Sequence, residues 1–83
     1  MTVRFHPHAV QRMQERGATR AQVTDAVLTG RSSPAKFGRR RFRKTFSFNA
    51  DWNGKRYARK TVDAFAAKMS YGWFVITVVV RYF

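Results

Sequence analysis

The spacing of apolar residues changes partway along the chain, and that change divides it into helices and strands. At about 100° per residue, Ala9, Val10 and Met13 fall on one side of a helix over residues 7–16, and His8, Arg12 and Glu15 fall on the other. Pro7 suits the first turn, because its fixed φ and missing N–H cost nothing there, and Gly17 suits the stop. His6 reads as a helix-entry residue. A second helix is announced by "TRAQ", in which Thr19 can cap and Gln22 can answer as a capping box. Val23, Ala26 and Val27 form its apolar face, and Gly30 is placed to end it.

"RSSPAKFG", residues 31–38, reads as loop, since proline, glycine and two serines break both periods. Beyond it the period is two. Phe42, Lys44, Phe46 and Phe48 share one face of a strand, and Arg41, Arg43, Thr45 and Ser47 share the other. The Asn-Gly pair in "DWNGK" predicts a tight hairpin, with a second strand returning from about Arg56 to Lys68. After a turn at "SYG", the strand "WFVITVVVRYF" is β-branched and aromatic, the pattern expected at the centre of a sheet. The expectation is an α+β fold in one domain over residues 1–83: two N-terminal helices packed on one face of a three- to four-stranded antiparallel sheet. The fourth, short strand would lie near Val3 to Phe5. Strict alternation turns Phe74, Ile76, Val78 and Val80 toward the helices. Thr77 and Arg81 then join Arg41, Arg43 and Arg59 on the open face if the registers agree.

Composition makes that open face interesting. Seventeen Lys and Arg stand against four Asp and Glu in 83 residues, a formal net charge of +13. Such a surface attracts polyanions, RNA foremost. Apolar residues make up 45% of the chain, enough for a core, so this is not a disordered polycation. With no cysteine, thiolate chemistry is excluded; two histidines and four scattered acids argue against a dedicated metal site, and no cofactor is expected. The longest apolar run, residues 73–80, is too short to span a bilayer, so no membrane partner is expected. No apolar leader follows Met1, which places the expected site of action in the cytoplasm; a domain delivered as the tip of a secreted effector would read the same way.

"HAVQRMQERGATRAQV" is similar to the N-terminal signature His-Ala-x-x-Arg-Met-x-x-Arg-Gly of the family called domain of unknown function 4258. "FRKTFSFNADWNGKRYARKTVDAFA" and "WFVITVVVRYF" resemble the strand motifs of one of its branches. That family is related to the barnase, EndoU, colicin and RelE group of small ribonuclease folds. The resemblance implies a metal-independent endoribonuclease toxin that cleaves tRNA or mRNA and is held in check by an acidic immunity or antitoxin protein. Because one scaffold hosts many functions, a non-catalytic RNA- or DNA-binding module is the alternative. A basic protein whose main role is to bind an acidic partner protein is a third reading.

RNA cleavage without a metal needs a base for the ribose 2′-OH, stabilisation of the charge developing on the phosphate, and a proton for the leaving 5′-oxygen. His8 and Arg12, four residues apart on one helical face, are candidates to meet one phosphate. Thr77, a hydroxyl interrupting an apolar strand, and Lys60, within the family-like "GKRYARK", complete the expected catalytic set. Against these stand plainer roles: an exposed first-turn histidine, an Arg12 pair with Glu15, a threonine chosen as a β-former. Arg16, Arg39, Arg40, Arg41, Arg43, Tyr57, Arg59 and Arg81 are expected to bind RNA, although Arg16 also suits the negative end of a helix dipole. Tyr57 and Lys60 have opposite parity, so they can share a side only with a bulge. Trp52, Tyr71 and Trp73 are expected to pack rather than to stack on bases.

Overall fold

The computed structural model describes residues 1–83. The chain runs β1 (Thr2–Phe5), α1 (Pro7–Arg16), α2 (Arg20–Thr29), β2 (Arg31–Pro34), a 3-10 turn (Lys36–Gly38), β3 (Arg40–Trp52), β4 (Lys55–Met69) and β5 (Gly72–Tyr82). Both helices form where the sequence places them. His6 caps α1 with its ring, Nδ1 accepting from the His8 N–H at 3.0 Å. Both bonds of the Thr19–Gln22 capping box are present in α2.

The five strands form one mixed sheet in the order β1-β5-β4-β3-β2. Two differences from expectation lie at its edges. β1 pairs with β5 in parallel, and residues 31–34, expected to be loop, pair with β3 as an edge strand ending at Pro34. Proline is tolerated there because an edge strand need not donate outward. The centre is β4 rather than β5, since β1 reaches only as far as Val75 and leaves the second half of β5 without an outer neighbour. Because β1 and β2 occupy opposite edges, the two helices between them in sequence must cross the sheet, and both cross on one face. No helix is long and apolar enough to cross a membrane.

The core fills the space between helices and sheet. Ala9 and Met13 of α1 and Val23, Ala26 and Val27 of α2 bury against Phe42, Val62, Ala64, Ala66, Val75 and Val78. Small residues on both layers, Ala9 and Ala26 above, Ala64 and Ala66 below, let the helices approach the central strand closely. Lys44 also points inward, as its alternation with the phenylalanines predicted, and bonds Asp25 of α2 at 2.7 Å. That contact holds the Asp25 carboxyl below its usual pKa of 3.8.

Alternation is interrupted in β5. Phe65 pairs with Thr77 but Ala66 pairs with Val75, so Ile76 is an unpaired bulge residue. Val78 and Val80 face the helices as expected, whereas Phe74 and Ile76 do not; Val75 and Trp73 take their places, with Trp73 packed edge-on to Phe42 at 4.8 Å. At the far end, β3 slips register between Ser47 and Ala50, where Asn49 has φ 48°. The hairpin then closes on Asn53 and Gly54, both at positive φ, as the Asn-Gly pair predicts.

Gly17 ends α1 in the left-handed region at φ 81°, and a Cβ there would come within 2.6 Å of the Tyr82 hydroxyl and 2.7 Å of the Trp52 ring. Gly30 is different: its φ is −78°, and what it supplies is room, since a Cβ would overlap the carbonyl oxygens of Ala26 and Arg43. Gly17→Ala is expected to destabilise the fold by about 2–4 kcal/mol in denaturant titrations, combining left-handed strain with overlap of two aromatic side chains. For Asp25 the linkage runs toward acid. Its depressed pKa contributes stability above the unfolded value and loses it as pH falls through the folded one. Asp25→Asn should therefore be less stable than wild type at neutral pH, with the gap closing below about pH 4 in pH-resolved thermal melts.

Candidate nucleic-acid interface

Thr77 lies at the junction of two grooves. Beyond Val75 the outer edge of β5 is open, and α1 runs beside it. Arg12 and Arg16 of α1, with residues 77–80 of β5, line a groove of about 360 Å³. On its other side Thr77 lines a larger groove of about 540 Å³, shared with Arg39, Arg41, Phe65 and Ile76 and walled by the segment from Ser33 to Phe37. The bulge makes this possible, because it brings two consecutive residues, Ile76 and Thr77, to the same groove.

The open face of the sheet is ordered in cross-strand rows. Arg41, Phe65 and Thr77 form one; Arg43, Asp63 and Val79 the next; Thr45, Thr61 and Arg81 the third; and Ser47, Arg59 and Phe83 the last. The expected gathering of Arg41, Arg43, Arg59, Thr77 and Arg81 on one face is what the registers produce. Their charges are not equally free. Arg43 binds the buried Asp63 carboxylate with two bonds of 2.7 and 2.8 Å, which holds the guanidinium pKa further above its ordinary value. Arg43 thus neutralises the acid of its own row instead of offering a free charge. Arg41 is the opposite case, with a buried Nε that has no hydrogen-bond partner.

The run Arg39 to Arg41, read in sequence as one patch, is divided by the pleat. Arg41 faces the open side and Arg39 reaches the larger groove, while Arg40 turns away and donates to the Ser32 hydroxyl at 2.8 and 2.6 Å. On α1, Arg12 approaches Glu15 only to 3.8 Å with both side chains substantially exposed, a pairing too weak to immobilise it. His8 is exposed one turn earlier and lines neither groove.

Lys60 is not beside Thr77. It points to the helix-facing side, is 3% exposed, and donates to the Gly17 carbonyl at 2.8 Å from between the rings of Phe48 and Tyr82. Burial lowers its pKa and no carboxylate restores it. Tyr57 belongs to the same cluster, its ring 5.7 Å from Tyr82; the register slip places its extra residue in β3, so it leaves the parity of Tyr57 and Lys60 along β4 unchanged. Trp52 stacks on Tyr82 at 5.0 Å, so both tryptophans pack, as expected. Burial raises the Tyr82 pKa, and its hydroxyl donates to the Arg16 carbonyl at 2.6 Å. These contacts make Lys60 an anchor for α1.

Three groove residues escaped the sequence reading. Ile76 looked like core because alternation was carried through the bulge, Phe65 was assigned no face, and Phe37 was set aside with its loop. A lone phenylalanine amid serine, proline, lysine and glycine was the available signal. Lys60→Ala should cost about 1–3 kcal/mol in stability by leaving a helix-terminal carbonyl unpaired, without reducing polyanion binding at matched folded fraction, as read by fluorescence anisotropy. Comparison with protein-family models, with curated proteins and with solved structures finds no match.

Proposed function

We propose that the protein is a metal-independent endoribonuclease that cuts unpaired RNA at the junction marked by Thr77. The observation that carries this reading is a hydroxyl shared by two cationic grooves, one lined by Arg12 and Arg16 and the other by Arg41. Arginines and a hydroxyl converging on one point suit a phosphodiester, whose nonbridging oxygens accept charge-assisted bonds. A pocket so positive would repel a divalent cation, so stabilisation of the transition state falls to the arginines. The similarity of "HAVQRMQERG" to the signature of domain of unknown function 4258, a family related to ribonuclease toxins, supports the same chemistry.

In this mechanism Arg12 and Arg16 hold the scissile phosphate and Thr77 donates to a nonbridging oxygen. His8, one turn before Arg12, moves the proton. The 2′-oxygen attacks phosphorus as the P–O5′ bond breaks, leaving a 2′,3′-cyclic phosphate and a 5′-hydroxyl. Lys60 takes no part. The net charge of +13 favours an acidic inhibitor protein covering the same face, as a toxin of this kind needs. The exposure of His8, outside both grooves, favours a second reading, a basic RNA-binding module without catalysis.

Wild type, His8→Ala and Thr77→Val incubated with cellular RNA in excess EDTA separate the two. Cleavage leaving cyclic phosphate ends, reduced about 10²–10⁴-fold by His8→Ala and about 10²-fold by Thr77→Val with binding retained, is the expected result. RNA bound but left intact by wild type overturns the enzyme and leaves the binding module.

A further inference from the structure

The larger groove is built unlike a simple phosphate cradle. Its floor is apolar, from Phe65 and Ile76, and its rim carries Arg39, Arg41 and Thr77. Its wall holds Phe37, a large aromatic side chain left 85% exposed. Phe37 also sits at φ 61° and ψ 34°, a left-handed conformation disfavoured for a bulky residue, in a turn closed by the Ala35 N–H donating to the Arg39 carbonyl at 2.8 Å. Strain and exposure combined in one aromatic residue are unfavourable for folding alone, and such positions cluster at ligand sites. Arg41 adds a buried, unpartnered Nε to the same groove.

We infer that this groove is a subsite for one unpaired nucleobase, stacked on Phe37 over the Phe65 and Ile76 floor, with Arg41 and Arg39 at its polar edge. The inference rests on the RNA-cleavage reading and specifies its substrate as a nucleotide unstacked from its neighbours. About 540 Å³ accommodates one base and its sugar, and sites for small ligands commonly span 300–1,000 Å³. Aromatic side chains bind bases through their π faces whatever the base, so the subsite selects single-stranded or looped RNA over duplex. Thr77 lines both grooves, which makes the stacked base belong to the nucleotide next to the phosphate held by Arg12 and Arg16. An acidic peptide would use the arginines but gains little from an exposed phenylalanine.

The test uses short oligoribonucleotides, 2′-O-methylated to block cleavage, carrying 2-aminopurine or an abasic residue at one position. Wild type is expected to quench 2-aminopurine and to bind the abasic probe about 10-fold more weakly than the intact one. Phe37→Ala should lose the quenching and bind both probes equally, and Phe37→Trp should restore the difference. Phe37→Gly guards against misfolding, because glycine relieves the positive φ; it should be at least as stable as wild type yet equally blind to the base. Equal binding of both probes by wild type, with RNA cleavage intact, would overturn the subsite and leave the enzyme standing. Failure of every oligonucleotide to bind would remove both, and binding of an acidic peptide that depends on Phe37 would reassign the groove to a protein partner.

Discussion

The C-terminus of α1 is tied to the sheet by two side-chain donors, and the placement of the functional arginines depends on that tie. A helix leaves its last carbonyls unpaired. Here the Tyr82 hydroxyl takes the carbonyl of Arg16 and the Lys60 ammonium takes that of Gly17, while the N–H groups of Gly17 and Ala18 both turn back to Met13. Burying an ammonium without a carboxylate is unfavourable. The negative end of the helix and the faces of Phe48 and Tyr82 offset that cost. Gly17 completes the joint by leaving room for Trp52 and Tyr82. With its end fixed over β4 and β5, α1 holds Arg12 and Arg16 along the open edge of β5, and the smaller groove has its second wall.

The bulge at Ile76 does the complementary task on the sheet. One unpaired residue lets β5 offer Val75, Val78 and Val80 to the core while turning Phe74 and Ile76 outward. Without it, Thr77 would be flanked on its own face by two residues of the same parity and Ile76 would be buried. With it, an apolar floor and a hydroxyl meet at one point of a basic surface. Charge is distributed by the same logic of pairing. Lys44 is spent on Asp25, Arg43 on Asp63 and Arg40 on Ser32, each bond tying one element to its neighbour. Arg12, Arg16, Arg39 and Arg41 remain to line the two grooves.

Local signals carried most of the secondary structure. The helix bounds, both caps, the Asn-Gly hairpin and the two faces of β3 are set by residues close together in sequence, so their physics is complete within a few positions. The basic open face was legible for the same reason, since a period of two needs only one strand to be read. The edge strand at residues 31–34 was not, because Ser32 and Ser33 have no strand preference of their own and are extended by pairing with Arg41 and Phe42.

What the sequence determined by itself was therefore the inventory: an α+β domain, a charge of +13, a histidine–arginine stripe on one helix and a hydroxyl in the last strand. Tertiary structure alone decided which of these meet. Register set Arg43 against Asp63, a bulge returned Ile76 to the side of Thr77, and packing set Lys60, expected in the catalytic group, against the end of α1. Each of those outcomes is fixed by partners nine or more residues away, and no local pattern encodes the register that brings such partners together.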